Sequence, residues 1–243
     1  MEGQRIAVMS FDVERDAPPY LSTYRGVEQG LPRILDLLDR LGIKATFFVT
    51  GNVALRYPDL VEEIVKRGHE LGSHGFAHIR YDLVSPRAGA EDVEKSLDVL
   101  SSFSEITSFR APNLQAPKWL FPLLYRLDVR CDSSTAIYKG APPGIRRVGG
   151  VLEIPASVTS SVLRLPTLLQ RLIYSLLPQP LVLFAHPWEF TDMRGRISRI
   201  DMWYNTGDTA LRLLEWALEH LQNKGYRFVR LCEVDALMGR APR

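Results

Sequence analysis

Arg5-Ile6-Ala7-Val8-Met9-Ser10-Phe11-Asp12-Val13-Glu14 opens as an apolar run and closes on two carboxylates. Residues 5–11 read as a buried strand. Such a strand needs cover on both faces, which is the condition of a parallel sheet flanked by helices. The following sequence agrees. Residues 29–41 place Leu31, Ile34, Leu35, Leu38 and Leu41 at helical spacing, Gly42 stops them, and residues 45–49 (ATFFV) form a second apolar strand. Together they make a βα unit.

The alternation continues along the chain. A helix is expected near 59–67 with a stop at Gly68, and a short strand at Glu70–Ser73. Helices at 86–101 and 117–127 alternate with short strands at 108–110, 129–132 and 151–154. A late apolar strand at 181–185 (LVLFA) precedes the amphipathic helix 208–223 and a last strand at 227–231. No internal repeat and no Pro/Ser-rich linker interrupts the series. The pattern predicts an α/β chain, a single irregular TIM-like (β/α) barrel of about seven strands occupying residues 1–243 as one domain.

Composition narrows the function. Hydrophobic residues make up 46% and charged residues 24%, and the net charge is +2, so no basic stripe suited to nucleic acid is expected. The two cysteines, Cys131 and Cys232, form no CxxC pair. Cys131 reads as a small buried residue and not as a nucleophile. Residues 1–5 lack the basic-then-apolar character of a signal peptide, and no run of about 18 apolar residues occurs. A cytoplasmic protein is the expectation.

In a parallel barrel the active site sits at the C-terminal ends of the strands. Those ends carry chemistry here: Asp12-Val13-Glu14, His74 to His78, Arg110-Ala111-Pro112, Asp132-Ser133-Ser134 and His186-Pro187-Trp188-Glu189. Three of the five histidines, His69, His74 and His78, fall within ten residues. On a helical turn the His74–His78 spacing would bring both rings to one face, able to share an ion. A third ligand is then needed. Asp12 and Glu14 face one side of an extended chain while Phe11 and Val13 face the other, and two carboxylates on one face repel unless a cation or proton separates them. One would bind metal and the other take a proton. His186, at the mouth of an apolar strand, could protonate a leaving amine. Arg110 could pair with a carboxylate, and Asp132 could orient His186. Trp188 could line a pocket or belong to the core. His69 reads as structural and His220 as a surface residue.

These segments, with Thr46-Phe47-Phe48-Val49-Thr50-Gly51, Gly68-His69-Glu70-Leu71-Gly72-Ser73-His74 and Ala185-His186-Pro187, follow one another as in the polysaccharide deacetylase family, the NodB homology domain of carbohydrate esterase family 4. The chain resembles that family over roughly residues 5–235. The resemblance implies a distorted (β/α) barrel and hydrolysis of an N-acyl group, usually N-acetyl on an amino sugar, with one divalent metal ion. Zinc comes first, with cobalt, nickel or manganese compatible. It implies Asp12 as general base braced by Arg110, His74 and His78 as metal ligands, and His186 as general acid supported by Asp132. Pro112 and Asn113, beside Arg110, are assigned with Trp188 to substrate binding. The family usually has a second Asp directly after the first, where this chain has Val13. Glu14, one residue on, is similar to a variant Asp-x-Glu arrangement and is assigned to the metal.

Three alternatives stay open at this level: a deformylase of a lipid-linked formamido sugar, a hydrolase of small amides, or a carbohydrate-binding protein on the same scaffold. Residues 162–177 are apolar with Arg164 and Arg171 seven positions apart. That segment could rest on a bilayer and meet a lipid-linked sugar, or pack on the barrel.

Overall fold

The computed structural model describes residues 5–238. The opening residues 1–4, part of the N-terminal reading above, lie outside the described residues. Among the described residues nine strands join one curled sheet, against the seven or so expected, and the α/β architecture is the irregular barrel that the sequence implied. Strand β1 (Ile6–Val13) pairs in parallel with β2 (Thr46–Val49), which continues through β3 (Glu70–Ser73), β4 (Ser108–Phe109) and β5 (Cys131–Asp132) to β7 (Val151–Glu153). On its other side β1 receives β8 (Leu181–Ala185), and β9 (Arg227–Phe228) pairs with Ile6 and Ala7.

One strand departs from the expected series. β6 (Arg146–Val148) runs antiparallel to β7 through the two-residue loop Gly149-Gly150, both at positive φ. Between the β7 and β8 ends the barrel is not closed by a ladder. Ser157 bridges the gap, its N–H donating to Val182 O at 2.8 Å and its hydroxyl accepting from Val182 N at 2.9 Å.

Helix α1 (Leu31–Leu41) is shorter than the residues 29–41 expected, because Gly26–Gly30 form a wider turn. Gly26 and Gly30 press on the backbone of Trp188 and Pro187, where an added Cβ would come within 2.3 and 2.1 Å. The sequence reading did not include α2 (Gly51–Arg56), capped by the Thr50 hydroxyl. Then follow α3 (Pro58–Lys66), α4 (Pro86–Ser101), α5 (Leu120–Arg126), α6 (Thr167–Leu176), α7 (Ile200–Trp203), α8 (Asp208–Asn223) and α9 (Val234–Met238). α4 starts as its sequence dictates, with the Ser85 hydroxyl accepting from Ala88 N and Pro86 in the first turn.

β1 shows how the fold prepares a site. Phe11 and Val13 join Phe47, Val49, Leu31 and Leu35 in the core between sheet and helices. Burying each such side chain stabilises the fold by roughly 1.5–3 kcal/mol. The opposite row faces the barrel interior. Ile6 and Val8 pack with Phe48 and Val182 at its base. Ser10, Asp12 and Glu14 follow toward the mouth, all buried. The interior thus changes from apolar to ionic along a single strand.

Candidate active site

Arg110, fully buried, organises the polar end of the barrel. Its guanidinium donates to Asp12 Oδ1 at 2.8 Å, Ser10 Oγ at 2.9 Å, Ser133 Oγ at 2.9 Å and Ser133 O at 3.1 Å. Phe48 and Phe184 pack against it, 4.3 and 5.3 Å from their ring centres. A planar cation with so many fixed partners holds a carboxylate in one orientation. Asp12 Oδ2 is left facing the mouth, 3.9 Å from His186 Nε2.

Glu14, His74 and His78 converge beside it. One donor atom from each lies within 4.8 Å of the others. His74 Nδ1 is 2.7 Å from the Arg110 carbonyl oxygen. A carbonyl only accepts, so the ring proton is on Nδ1 and Nε2 presents its lone pair. That Nε2 is 3.5 Å from Glu14 Oε2, and His78 Nε2 contacts the same oxygen. Glu14 Oε2 is buried and makes no hydrogen bond. Burial opposes ionisation of Glu14, but His78, His74 and His186 overcome it and hold the carboxyl well below its usual range. An orphaned anionic oxygen flanked by two imidazole nitrogens fits a divalent cation of borderline softness. Val13, between the two carboxylates, points into the apolar core.

The histidine pair differs from its expected geometry. His74 and His78 lie on a loop and not on a helical turn. Gly75 at φ +72° and His78 at φ +55° fold this loop back on itself. Asp92, on α4, pins it by accepting from Phe76 N at 2.8 Å, Ala77 N at 3.0 Å and the Tyr81 hydroxyl at 2.8 Å. Left-handed backbone at a non-glycine residue is held by its surroundings, and here Asp92 acts together with Gly51 N and Asn52 N, which donate to the Gly75 and Phe76 carbonyls at 2.9 and 3.1 Å.

His186 follows β8, with Nε2 3.8 Å from Glu14 Oε1 and 3.9 Å from Asp12 Oδ2. Its expected partner was Asp132; the structure corrects this to Glu189. Glu189 Oε1 is 2.8 Å from His186 Nδ1 and accepts from the His186 backbone N–H at 3.0 Å. Asp132 instead accepts from the Ser134 backbone and hydroxyl at 2.8 and 2.6 Å. Burial, then the nearby Glu153, raises its pKa to about 7. Glu189 lies one short turn after His186, so no second strand is required for the pairing. Arg164 donates to its other oxygen at 2.6 Å and to the backbone carbonyls of Tyr204 and Asp201 at 2.5 and 2.6 Å. Burial disfavours the imidazolium, but Glu189, Glu14 and Asp12 outweigh it and raise the His186 pKa to about 9. Burial likewise opposes the Glu189 charge, while Arg164 and His186 bring that carboxyl down to about 2.

The mouth is a cavity of about 380 Å³. Asn113 and Trp188 line it, while Pro112 is buried behind the turn that presents Asn113. Trp188 stacks on His186 with ring centres 5.1 Å apart and also packs on Met193 and Ile197, so it serves both pocket and core. Tyr20, Tyr138, Lys139 and Arg199, which the sequence did not single out, complete the rim. Of the remaining candidates, His69 is buried and accepts from Ala45 N at 3.2 Å, and His220 stacks on Trp216. Cys131 is buried, and burial pushes its thiol up to about 12.

Comparison with known proteins agrees with this architecture. The family described as polysaccharide deacetylase matches residues 3–131, more than half of the chain. A peptidoglycan-N-acetylglucosamine deacetylase of Bacillus cereus is 33% identical over 70 residues, which are 29% of this chain and 26% of that protein. The chain therefore spans about a quarter of this curated relative. A Mycobacterium smegmatis crystal structure bearing the same family description superposes with TM-score 0.76 at 17% identity, over 100% of this chain and 94% of that one. A family 4 carbohydrate esterase from Streptomyces lividans, solved with acetate, superposes with TM-score 0.61 at 16% identity, over 92% and 90%. At such identities the superpositions show a shared fold.

Proposed function

Because the chain belongs to the polysaccharide deacetylase family, we propose that it hydrolyses the N-acetyl group of an amino sugar in a saccharide or saccharide precursor. The observation that carries this reading is the flanking of a three-donor set, Glu14, His74 and His78, by two proton-transfer groups, Asp12 and His186. Glu14, His74 and His78 would hold a divalent ion, zinc first. When bound, such an ion supplies a Lewis acid that polarises the acyl oxygen and makes a water acidic enough to react near neutral pH.

Asp12 serves as the base. Arg110 fixes Oδ1 and leaves Oδ2 to take the proton of the attacking water. His186, charged through Glu189, gives its Nε2 proton to the departing nitrogen. Its stacking on Trp188 and the Nδ1 contact to Glu189 fix the ring in the orientation that transfer needs. Atoms balance with acetate and a free amino sugar as products. Asn113, Trp188 and the tyrosines at the rim suit a sugar face. The chain's free cysteines fit a reducing compartment, and a cytoplasmic location belongs to the same proposal.

Acetate release from N-acetylglucosamine oligosaccharides, paired with metal analysis, tests the reading. Asp12→Asn is expected to lower kcat by about 10²–10⁴-fold with metal retained. Glu14→Gln is expected to lose the metal. Acetate release undiminished in Asp12→Asn would overturn the base, and full metal content in Glu14→Gln would overturn the ligand. Release of formate in place of acetate from a formamido sugar would reassign the acyl group while keeping the chemistry.

A further inference from the structure

Helix α6 is amphipathic in the reverse sense. Its buried positions are Gln170 and Tyr174. Gln170 donates to the carbonyls of Leu163 and Leu165 at 3.1 and 2.9 Å and accepts from the Tyr174 hydroxyl at 2.7 Å. Leucines occupy the outer face: Leu168 is 73% exposed, Leu169 45%, Leu172 57% and Leu176 76%. Their spacing puts them on one side of the helix. A single exposed leucine needs no explanation, but four on one face form a patch that water disfavours.

The stretch of chain that carries this patch bears only basic charge. No Asp or Glu occurs between Glu153 and Glu189. Arg164, read from the sequence as part of this surface, is instead buried against Glu189, which leaves Arg171 as the cation of the helix. Beside it lies a groove of about 720 Å³ whose charged lining is Arg5, Arg171 and Lys224, with His220 and without a carboxylate among the described residues. The Arg5 guanidinium rests over the Tyr226 ring, 5.8 Å from its centre. Burial lowers the His220 pKa, and Arg171 and Lys224 lower it further, as an electropositive groove should.

We infer that α6 and this groove dock the protein on an anionic lipid surface. The leucines enter the interfacial layer, and Arg5, Arg171 and Lys224 meet headgroup phosphates. A second copy fits less well, because a two-fold contact through α6 would bring Arg171 and its cationic neighbours toward their own copies. Docking does not depend on the deacetylase reading. Ser160 and Ser161, just before α6, line the active-site mouth, whereas Leu177 and Gln179, after it, lie beside Arg5 and Tyr226. The helix therefore lies on the stretch of chain that links the mouth to the basic groove.

Flotation of the protein with phosphatidylcholine vesicles, with and without phosphatidylglycerol, tests the inference with no reference to activity. The protein is expected to float with the anionic vesicles and to stay behind with neutral ones. Arg171→Glu should weaken partitioning roughly tenfold or more. Leu172→Glu should abolish it, while Leu83→Glu, at a leucine 72% exposed on a different surface turn, should float like the parent. Circular dichroism checks that each variant is folded. Absence of flotation with anionic vesicles, or flotation unchanged in Leu172→Glu, overturns the inference. So does a dimer in sedimentation that Leu172→Glu converts to monomer, since the leucines then cover one another.

Discussion

A single oxygen of Glu189 receives both the ring and the backbone of His186, and the consequences can be measured at that residue. In metal-free protein, Glu189→Gln should bring the His186 pKa down from about 9 toward its ordinary value, read by NMR titration of the ring. Asp132→Asn should leave that titration where it was; the opposite pattern would restore Asp132 as the partner. The stability effect has a defined pH window. The raised His186 pKa contributes stability fully present below about 6.5 and lost as pH rises toward 9. The depressed Glu189 pKa contributes stability present above about 4.5 and lost as pH falls toward 2. Glu189→Gln should therefore cost most between pH 4.5 and 6.5, on the order of 3–5 kcal/mol for breaking a buried pair, in urea titrations. The alternation of Asp12 and Glu14 with Phe11 and Val13 was legible because strand period alone sets it. Glu189 carries only a faint mark, a His-x-x-Glu turn, which does not by itself outweigh a carboxylate at another strand end such as Asp132. Arg164 has no local signal at all, because its partner lies 25 positions away.

At the scale of elements, the loop bearing His74 and His78 is held between α2 and α4. Asp92→Ala removes three hydrogen-bond acceptances at once and should loosen His78 more than His74, which keeps its own bond to Arg110 O. Calorimetric titration should show metal affinity lowered roughly 10–100-fold, as for other supporting partners of ligands. Gly75→Ala should act similarly, since a Cβ there would come within 2.3 Å of the Tyr81 hydroxyl at a φ of +72°. Unchanged affinity in both variants would mean that the loop keeps its form without these restraints. Apolar strands such as β1, β2 and β8 were evident from composition. The loop was not, because the spacing of two histidines does not distinguish a helical turn from a left-handed reversal fixed by a distant carboxylate. The β6–β7 hairpin did carry a readable mark, the Gly149-Gly150 pair flanked by Val148 and Val151.

Across the whole molecule, the donor set ties the end of β1 to the loop after β3. A cation held there binds the folded chain and not the unfolded one, so it adds stability by mass action, about 2.7 kcal/mol at a hundredfold excess over Kd. For a chain of this size that is roughly 5–10 °C in Tm. Zinc should raise Tm by this amount and a chelator should reverse it, while Glu14→Gln should show little response in scanning calorimetry. A rise equal to the parent's in Glu14→Gln would put the stabilising ion elsewhere. The order of parallel strands was legible from the alternation of apolar runs and helices. The manner of closure was not: the contact of Ser157 with Val182 is a pair of hydrogen bonds rather than a strand, and no periodicity announces it.

The short turn from His186 to Glu189 has one more consequence, for how such a site can be inherited. The setting of Asp12, the proposed base, is a collective property: Asp12 ends β1, Arg110 follows β4 and Ser133 follows β5, so a slip in any of these strands disturbs it. His186, the proposed acid, travels with Glu189 as a cassette, ring and carboxylate together on one stretch of chain. Insertions in the strand-five region can accumulate without severing that pair. The two halves of the site can therefore change separately: a shift at β1, β4 or β5 alters the setting of Asp12, while the His186–Glu189 pair is kept wherever its own short turn is kept.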